Sequence, residues 1–580
     1  MAETLKLSAA SLCETGRKQP KINEDFAAIH IPEDPHLLRS KGIVLAVADG
    51  VSSAGAGREA SEQAVKRFIQ EYYQTPDTWS VSHCGENILS TINLRLYRRS
   101  HEYGSEGKGY LSTFSALVIK GQTAHFFHIG DSRIYYLSEQ DRVLKCLSRD
   151  HSRKVTESQS FLTRAIGMDN HLPLDYGQQA IGKGDRFLLS SDGLHDFVAH
   201  QDLQASLKNK PCDRSHVCAL FDQALSNGSD DNVSVIVADI ECLPESPFED
   251  SNEKSKRLPF PPDSLAKGVQ LDGYIIEKEL FSSSRSQLYL VKDKESKNRY
   301  AMKIPSRNFE DDESYIERFV QEEWIGQRIK SDHVVKVIRP QRQKTALYYL
   351  MEYIEGQSLD KWINDHQPPS PKRSIAIIEQ IAKGLQAFHD NEAIHQDLKP
   401  ANVMIDIEGR VLIVDFGSVY VAGLAELRCP DIFEAALGTA SYSDPIYLLG
   451  RNPGIAGDVY SLATIAYEMF TGQLPYGPAV DEYTSAAQYH RLSYIPASEH
   501  NPVIPIWFDR ALRRGVEFDL EDRYRTVSDF YQDLRNPNPD FLREDPPSQS
   551  NSSGLLFWKL LSGFWFGVFV LLLYLFTQVS

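Results

Sequence analysis

The chain has 580 residues, of which 62 are Lys or Arg and 79 are Asp or Glu, so its formal net charge is −17. An acidic surface repels phosphate backbones, which argues against a nucleic-acid binder driven by charge. A hydrophobic content of 42% excludes wholesale disorder, and the length is sufficient for several domains, each with its own core.

The seven cysteines are scattered, odd in number and without a C-x-x-C pair, which argues against a disulfide scaffold and against a zinc ribbon. The opening segment, MAETLKLSAASLCETG, lacks a basic stretch followed by an apolar core. We therefore expect no secretory signal, with the bulk of the chain in the cytosol.

Residues 1–242 contain short apolar, β-branched runs between turn residues, such as GIVLAVADG and DNVSVIVADI. These runs predict strands, several of them buried on both faces. Longer mixed segments such as GREASEQAVKRFIQEYY have the spacing of helices. The pattern predicts an α+β domain in which sheets are covered by helices.

Four acids, Asp49, Asp131, Asp192 and Asp231, stand at the ends of these predicted strands. A single carboxylate at a strand end is usually only a turn former. Four of them can converge if the strands belong to one layered core, and they then repel one another unless hard cations such as Mg²⁺ or Mn²⁺ neutralise them. Two such ions about 4 Å apart would bridge a water molecule, lower its pKa and aim it at phosphorus.

The same acids belong to motifs that resemble those of the metal-dependent protein phosphatases, the PPM family. The motifs, in the order that the family has them, are NED, ADGVSS, HIGDSRIY, SDGL and DNVSVIV. The resemblance covers nearly all of residues 1–242 and implies a β-sandwich flanked by helices. It also implies two Mn²⁺ or Mg²⁺ ions and, in this family, room for a third. The implied metal ligands are Asp49 as the bridge, the Gly50 carbonyl, Asp192, Asp231, Glu24 through water and, for the third metal, Asp131.

Two positions depart from the family pattern. Pro20 stands where a phosphate-binding arginine is usual, so Lys21 or Arg17 is the candidate cation for that role. Val51 stands where many members have a histidine that can act as a general acid, so protonation of the leaving group would fall to metal-bound water. Because the metal ligands are intact, we expect an active phosphatase.

Residues 243–268 are rich in proline, serine and charge, which predicts a linker. The next segment, 269–535, begins with strand-like runs (LYLVKD, YAMKI) and passes to helical ones such as KRSIAIIEQIAKGLQAFHD. This order predicts a small sheet-rich lobe followed by a helical lobe.

The second segment carries AMKI, RFVQEE, MEYIEG, HQDLKPAN, VDFG and GDVYSL in that order, and it resembles the eukaryotic-type protein Ser/Thr kinases of bilobal fold. The resemblance implies binding of ATP with Mg²⁺. The residues carried over are Lys303 on the α and β phosphates, Glu322 paired with that lysine, Met351 as gatekeeper, the backbone of Glu352 and Ile354 at adenine, Asp397 as catalytic base, Lys399 near the γ-phosphate, Asn402 and Asp415 as Mg²⁺ ligands, and Asp458 as the tie of the catalytic loop to the helical lobe.

Three departures bear on kinase activity. The phosphate loop has Phe281, Ser283 and Ser286 where glycines normally stand, which would weaken nucleotide binding. Gln396 replaces the usual arginine of the catalytic loop, so activity would not need to await phosphorylation of the activation loop. SDPI replaces APE, so Arg523 lacks its usual glutamate, and Asp444 is the candidate replacement.

Beyond the kinase-like segment, residues 536–554 combine prolines with small polar residues, which predicts a stalk. Residues 560–577 carry no charge and are long enough to cross a bilayer, which predicts one C-terminal transmembrane helix over 555–577. Lys559 favours a cytoplasmic location for the upstream side. We expect a single-pass anchor in a bacterial inner membrane, with both catalytic domains in the cytoplasm.

Together these features favour a membrane-tethered, bifunctional protein Ser/Thr phosphatase and kinase. Its expected partners are ATP, the membrane and phosphoprotein substrates, among which this chain itself is a candidate. No nucleic acid is expected. Two alternatives stay open: a phosphatase regulated by a nucleotide-binding pseudokinase domain, and a membrane-anchored signalling scaffold without either activity.

Overall fold

The structure is a computed structural model of the chain. It describes residues 5–17, 22–51, 54–101, 109–156, 159–244, 258–262, 265–340, 342–367, 369–425, 441–477, 486–489, 492–542, 559, 561–562, 564–565 and 567–568.

The N-terminal part contains two five-stranded antiparallel sheets and a separate two-stranded hairpin. Its strands are β1 (Lys6–Glu14), β2 (Asp25–His30), β3 (Ile43–Asp49), β4 (Phe114–Lys120), β5 (Thr123–Ile129), β6 (Arg133–Leu137), β7 (Leu144–Cys146), β8 (Ser152–Thr156), β9 (Gln159–Leu162), β10 (Asp175–Ala180), β11 (Arg186–Ser190) and β12 (Val233–Cys242). One sheet has the order β1-β12-β11-β6-β7 and the other the order β10-β5-β4-β3-β2, while β8 pairs with β9.

Strand β3 shows why these sheets pack in layers. Ile43, Leu45 and Val47 pack against side chains of the first sheet, such as Phe187 and Ile236, and form the core between the sheets. The alternate residues of β3 point to the opposite face, where helices cover them. A strand that is apolar on both faces is therefore buried on both, as its sequence predicts.

The described residues of this domain form six helices: α1 (Pro35–Ser40), α2 (Gly57–Tyr72), α3 (Val81–His101), α4 (Asp192–His195), α5 (His200–Asn209) and α6 (Arg214–Ser226). Apolar residues of α2 and α3, including Phe68 and Leu89, cover the outer face of the β3 sheet. Leu203 of α5 and Leu220 of α6 cover the outer face of the other sheet. The arrangement is a β-sandwich flanked by helices, so the predicted fold of this domain is confirmed.

The second domain begins with a six-stranded antiparallel sheet, in the order β13-β14-β15-β16-β18-β17, and continues with smaller sheets, β19-β21-β22 and β20-β23. Its strands are β13 (Gln270–Leu271), β14 (Tyr274–Ser282), β15 (Ser286–Asp293), β16 (Arg299–Pro305), β17 (Val337–Ile338), β18 (Tyr349–Glu352), β19 (Gly356–Ser358), β20 (Ala393–Ile394), β21 (Val403–Asp406), β22 (Val411–Ile413) and β23 (Tyr420–Val421).

One helix packs with the six-stranded sheet, the remaining helices belong to the second lobe, and one apolar core extends through both lobes. The helices are α7 (Glu313–Gly326), α8 (Leu359–Asp365), α9 (Pro371–His389), α10 (Ala422–Ala425), α11 (Pro445–Leu448), α12 (Ile455–Thr471), α13 (Ala486–Tyr489), α14 (Ala497–His500), α15 (Ile506–Gly515) and α16 (Val527–Arg535). Short 3-10 turns occupy Arg307–Phe309, Pro400–Asn402 and Pro539–Leu542. The predicted small sheet-rich lobe followed by a helical lobe is confirmed.

The predicted transmembrane helix over 555–577 falls mostly outside the described residues, as does most of the predicted linker. Within the part of the chain that the structure describes, no helix combines the length and the apolar character that crossing a bilayer requires.

Candidate active sites

The acids singled out in the N-terminal domain all stand where strands begin or end. Asp49 is the last residue of β3, and Asp131 lies in the turn between β5 and β6. Asp192 begins α4 and is separated from β11 by Ser191 alone, and Asp231 lies two residues before β12. Strand β3 belongs to one sheet, and β11 and β12 belong to the other. Packing of the two sheets therefore brings together the strand ends that carry these acids.

A further carboxylate joins them. Asp25, the first residue of β2, is directly opposite Asp49 in the antiparallel register and is 5% exposed. Its Oδ2 accepts a hydrogen bond from Ser191 Oγ at 2.7 Å, and Ser191 is the residue before Asp192. Ser191 Oγ in turn accepts from the backbone of Ser234 on β12 at 2.9 Å. Asp25 therefore connects the two sheets at the point where the acids meet.

The protonation of these acids shows how strongly they are confined. Burial, followed by repulsion from Asp25 and Asp192, raises the pKa of Asp49 well above its ordinary value. Burial, together with the charges of Asp131 and Asp231, raises the pKa of Asp192 to about 8. Burial and the charge of Asp150 raise the pKa of Asp131 to about 6. Buried like charges of this kind are stable only if a cation lies nearby or if some of the carboxylates are protonated.

A hard divalent cation requires several oxygen ligands around one point. Among the described residues, no three His, Cys, Asp or Glu side chains lie at the spacing of ligands around one metal ion. Two buried carboxylate oxygens, Asp25 Oδ1 and Asp192 Oδ1, nevertheless have no hydrogen-bond partner. Buried oxygens without donors, on acids that repel one another, are the ligand type that Mg²⁺ and Mn²⁺ bind. The chemistry of the residues thus fits a divalent cation.

Backbone contacts fix the position of Gly50, the proposed carbonyl ligand. Its amide donates to the carbonyl of Glu24 at 3.0 Å, which ties the turn after β3 to the residue that precedes β2. A Cβ on Gly50 would collide with the backbone of Gly57, at the first turn of α2. Only glycine permits this approach of the helix to the turn. The Glu24 carbonyl also accepts from Ser61 Oγ of α2, and its amide donates to Asn232 Oδ1 at 2.9 Å.

Arg17 and Lys21 are the two candidate phosphate-binding cations. Arg17 is exposed, in the turn that follows β1. Lys21 lies outside the described residues. Neither assignment is tested by these contacts, and both stay predictions.

In the second domain, the structure brings together three residues predicted to bind nucleotide. Lys303 Nζ on β16 lies 2.6 Å from Glu322 Oε2 on α7 and 3.0 Å from Asp415 Oδ1. Burial would lower the pKa of Lys303, but the charges of Asp415 and Glu322 outweigh it and raise that pKa. The lysine is therefore a fixed cation between the sheet, the helix and the segment after β22.

The Asp415 carboxylate is both ionised and accessible to solvent. Desolvation would raise the pKa of its carboxyl, but the charge of Lys303 outweighs it and lowers the pKa to about 2. The Asp415 side chain is 42% exposed, so a ligand can reach it while it stays ionised. Its φ of 77° is in the left-handed region, a strained conformation for a residue other than glycine.

The predicted catalytic loop forms a second group. Asp397 Oδ2 accepts from Lys399 Nζ at 2.8 Å and from Asn402 Nδ2 at 3.2 Å. Asn402 Nδ2 also donates to the Asp397 carbonyl at 2.9 Å. The candidate base, the candidate γ-phosphate lysine and one candidate Mg²⁺ ligand thus share one hydrogen-bond network.

Asp458 holds this loop from the helical lobe, as expected. It lies in α12, and its carboxylate accepts from the backbone amides of His395 and Gln396 at 2.9 and 3.0 Å. His389 Nε2 lies 2.8 Å from the same carboxylate. Gln396, which replaces the usual arginine, has a φ of 64°, and the bond to Asp458 supports that strained conformation.

The substitute for the missing glutamate is confirmed as well. Arg523 Nη1 donates to Asp444 Oδ2, and both side chains are completely buried. Arg523 also donates to the carbonyls of Glu517 and Ala456 at 2.7 and 3.0 Å. Asp444 therefore supplies the countercharge that Arg523 needs.

The predicted adenine contacts lie at the junction of the lobes. Met351 is buried in β18, Glu352 ends that strand, and Ile354 lies in the connection to β19. The Glu352 amide donates to the Lys336 carbonyl at 2.9 Å, and Ile354 packs against the main core. The backbone at Glu352 is thus bonded to the segment that carries Lys336, while the Ile354 side chain faces the core.

The phosphate loop without glycines closes as a serine turn between β14 and β15. Ser283 Oγ accepts from the amides of Arg285 and Ser286 at 3.3 and 3.1 Å and donates to the Ser286 carbonyl at 3.1 Å. Phe281, in place of another glycine, is 61% exposed. A side chain therefore provides the closure that glycines normally permit.

Two further residues, Asp25 and Tyr349, belong to these clusters but cannot be recognised from the sequence alone. Asp25 is adjacent to Glu24 in the NED motif, and only the register with Asp49 shows that it faces the acids. Tyr349 is fully buried, and its hydroxyl donates to Glu322 Oε2 at 2.7 Å, the oxygen that also accepts from Lys303. An apolar strand offers no local signal that one of its tyrosines reaches a helix.

Two family models match the chain. Residues 24–234 match the model described as protein phosphatase 2C, and residues 274–538 match that of the protein kinase domain.

Among curated proteins, the serine/threonine-protein kinase PrkC of Bacillus subtilis is 26% identical over 270 residues, 46% of this chain and 41% of PrkC. PknB of Mycobacterium leprae is 28% identical over 268 residues, 45% of this chain and 42% of PknB. This chain thus spans about two fifths of the length of these relatives. A solved structure described as PppA, a key regulatory component of T6SS in Pseudomonas aeruginosa, is 26% identical and covers 42% of this chain and 100% of its own, with a TM-score of 0.35. The chain therefore joins a domain of the protein phosphatase 2C family, over residues 24–234, to a protein kinase domain, over residues 274–538, that is similar to bacterial serine/threonine kinases.

Proposed function

We propose that the chain both hydrolyses phosphoserine and phosphothreonine and phosphorylates serine and threonine with ATP. The observation that carries the proposal is the presence of two separate clusters of charged side chains in one polypeptide. One set is the group of buried acids around Asp25, Asp49 and Asp192. The other is the Lys303, Glu322 and Asp415 cluster beside the network of Asp397.

In the phosphatase domain, the acids would hold Mn²⁺ or Mg²⁺. The residues proposed to hold these ions are Asp49, the Gly50 carbonyl, Asp192, Asp231, Glu24 through water and Asp131 for a third ion. Such ions supply an activated water and charge stabilisation at phosphorus. The residues themselves supply fixed negative charge, and Ser191 orients Asp25 through the 2.7 Å hydrogen bond. The exposed Arg17, or Lys21, would bind the phosphate of the substrate.

In the kinase domain, Lys303 would bind the α and β phosphates of ATP, while Glu322 keeps that lysine in place. Asn402 and Asp415 would hold Mg²⁺, and the backbone of Glu352 and Ile354 would bind adenine. Asp397 would accept the proton of the substrate hydroxyl, with Lys399 beside it to stabilise the transferred phosphoryl group. The closeness of Lys303, Glu322 and Asp415 supports an arrangement competent for nucleotide.

A nucleotide-binding pseudokinase that regulates the phosphatase is the second candidate. The observation that favours it is the phosphate loop, where Ser283 and the exposed Phe281 replace flexible glycines. Such a loop closes less readily over phosphates.

One assay separates these candidates. Purified full-length protein is incubated with labelled ATP, Mn²⁺ and a generic protein substrate, as wild type, Asp192→Asn and Asp397→Asn. We expect label to accumulate in Asp192→Asn and to appear only transiently in wild type. The double variant Asp192→Asn/Asp397→Asn should carry no label. Phosphatase activity without any transfer of label would favour the pseudokinase. Loss of neither activity in these variants would contradict both assignments.

Substrates of the two domains would include this chain itself, because two domains on one polypeptide are at a high effective concentration around each other. Candidate acceptors are the hydroxyls near the activation segment: Ser418, Thr439, Ser441 and Ser443. Ser443 is only 2% exposed, so it would need to unfold locally before it could be phosphorylated. Thr439 lies outside the described residues. Phosphopeptide mapping of Asp192→Asn would identify the acceptors.

The apolar segment 560–577 would tether both domains to a membrane, with the upstream part cytoplasmic. The support is the run of uncharged residues in the sequence, which is close to the thickness of a bilayer core. Full-length protein should float with lipid vesicles, and a chain that stops after Gly554 should stay in the soluble fraction. Full-length protein that remains soluble without detergent would contradict the tether.

A further inference from the structure

The phosphatase and kinase domains contact each other through the loop between α2 and α3. We define the latch as residues 75–80 together with Lys120, which ends β4. On the kinase side, both backbone polar groups of Gly423 are bonded to the latch. The Gly423 amide donates to the Thr78 carbonyl at 3.0 Å, and the Gly423 carbonyl accepts from Lys120 Nζ at 2.9 Å.

The contact at Gly423 is close. A Cβ at this position would lie 2.7–2.8 Å from the backbone carbonyl oxygens of Asp77, Thr78 and Trp79. Thr78 and Lys120 are each 1% exposed. A buried ammonium needs hydrogen-bond acceptors, and the kinase domain provides one of those that Lys120 has.

A second part of the latch bonds the turn between α9 and β20. Trp79 Nε1 donates to the Asp390 carbonyl at 2.9 Å. The Ser80 amide donates to a carboxylate oxygen of Glu392. Glu392 has a φ of 49°, and this turn leads directly to β20 and the catalytic loop.

A third part reaches the end of the helix that carries Glu322. Asp77 Oδ2 lies 3.4 Å from Arg328 Nη2, and Arg328 is the second residue after α7. The guanidinium of Arg328 stacks over the Trp324 ring of that helix at 3.8 Å. The latch therefore contacts three kinase segments, each continuous with residues assigned to ATP binding or phosphoryl transfer.

The latch is also bonded to its own domain, at a distance from the phosphatase acids. Lys41 is 1% exposed and donates from Nζ to Thr75 Oγ1 at 2.8 Å and to the Pro76 carbonyl at 2.7 Å. Lys41 stands just before β3, whereas Asp49 ends that strand. Seven residues of strand separate the two ends by roughly 20 Å. The kinase domain thus contacts the sandwich at the end of β3 that is opposite the acids.

We propose that the latch is a docking surface for this chain's own kinase domain, and that docking holds the segment after Asp415, the turn before the catalytic loop and the end of α7 in the arrangement that transfers phosphate. The positioning part rests on the proposed kinase activity. Docking itself does not, because it depends only on the contacts. The phosphatase domain then has two roles: it removes phosphate, and it supports the kinase by contact.

The test uses the full-length chain in an Asp192→Asn background, so that dephosphorylation does not obscure transfer. Gly423→Ala places a methyl group against the latch carbonyls, and Trp79→Phe removes the indole donor but keeps an aromatic ring. Gly182→Ala is the matched control, because a Cβ there would meet nothing closer than 3.6 Å. Two quantities are measured: hydrogen exchange of the peptides that cover 76–80 and 421–424, and transfer of labelled phosphate to a generic substrate.

We expect faster exchange in both peptides of Gly423→Ala and Trp79→Phe, by roughly tenfold, because the protecting contacts open locally. We also expect phosphate transfer to fall by roughly five- to thirtyfold, within the usual range for coupled sites, while Gly182→Ala matches its parent. Unchanged exchange in both variants would overturn docking. Faster exchange with unchanged transfer would overturn positioning. If the parent transfers no phosphate, the proposed kinase activity and the positioning part fail together, and exchange still decides docking.

Discussion

We expect the hydroxyl of Tyr349 to affect nucleotide binding through its hydrogen bond to Glu322. Glu322 Oε2 accepts from both Tyr349 and Lys303, so the tyrosine fixes the carboxylate from the side of the sheet. Burial, opposed by the charge of Lys303, leaves the pKa of Glu322 raised, so its ionised form depends on every donor it has. A hydrogen bond to a charged group contributes about 1.5–3 kcal/mol.

We therefore expect Tyr349→Phe to raise the KM for ATP and to reduce kinase activity by roughly tenfold, which corresponds to about 1.4 kcal/mol. The matched control is Tyr348→Phe, because the Tyr348 hydroxyl donates to Asp272 at 2.9 Å and not to Glu322. Steady-state kinetics with varied ATP measure both variants. Equal losses in the two variants would show that the effect is one of general stability and not of Glu322 positioning.

Asp25 contributes to the phosphatase site in a different way. Burial raises its pKa, and it lies beside Asp49, so in the protein without metal it adds repulsion. With a divalent cation present, the same charge adds attraction. Replacing Asp25 with a neutral residue should therefore weaken metal binding and at the same time stabilise the metal-free protein.

Asp25→Asn should weaken Mn²⁺ binding roughly ten- to a hundredfold, as loss of groups around metal ligands commonly does, and should raise the unfolding temperature of the metal-free protein. Calorimetric titration with Mn²⁺ and thermal unfolding in chelator measure the two changes. Asp185→Asn is the control, because Asp185 is buried in the same domain but bonds Tyr136 at 2.7 Å. Unchanged Mn²⁺ affinity in Asp25→Asn would exclude Asp25 from the metal site.

At the scale of elements, the Asp444–Arg523 pair joins the segment before α11 to the segment before α16 inside the helical lobe. Asp444 also begins α11, since its Oδ1 accepts from the Ile446 amide at 2.9 Å. Removing one partner of a buried ion pair leaves the other charge without compensation. The pair therefore fixes the packing of two helices as well as its own charges.

Asp444→Asn keeps the acceptor for the Ile446 amide and removes only the charge. We expect it to destabilise the kinase domain by about 3–5 kcal/mol. Glu310→Gln removes one partner of the exposed pair with Arg307, at 3.3 Å, and should change stability by less than about 1 kcal/mol. Chemical denaturation of both variants gives the comparison. A small effect of Asp444→Asn would mean that the two other acceptors of Arg523, the carbonyls of Glu517 and Ala456, suffice for it.

At the scale of the whole molecule, buried histidines make the phosphatase domain sensitive to acid. Burial, with the charge of Lys120, lowers the pKa of His125 to about 3, and burial lowers that of His128 to about 4. Both lie below the ordinary value of 6.5, so between these pH values the unfolded chain binds more protons than the folded one. Their contribution to stability is therefore complete above about pH 6.5 and is lost as the pH falls.

His125→Gln should lose less stability than wild type on acidification from pH 6.5 to 4.5, by about 1.4 kcal/mol per pH unit. The acids with raised pKa values, such as Asp49 and Asp192, act in the opposite direction, but they are the same in both proteins and cancel in the comparison. The exposed His171→Gln is the control. Calorimetric unfolding at several pH values measures the slopes, and parallel slopes for wild type and His125→Gln would contradict the prediction.

The sequence by itself determined the order of the two domains, their fold classes and the placement of most site residues on the chain. This was possible because motifs such as HQDLKPAN combine turn formers and functional groups within a few positions, and because a strand like β3 records its burial in consecutive apolar residues. The replacement of the missing glutamate by Asp444 was also within reach, since it lies within the same motif.

Only the tertiary structure decided which side chains meet across the chain. Asp25 faces Asp49 through strand register, Tyr349 reaches Glu322 across a sheet and a helix, and the latch joins Lys120 to Gly423, 303 residues away. Such contacts depend on how layers and lobes pack, and packing energy is shared among many residues that are distant in sequence. A local pattern records only that a residue is buried or polar, so its partner becomes known when the whole fold places it.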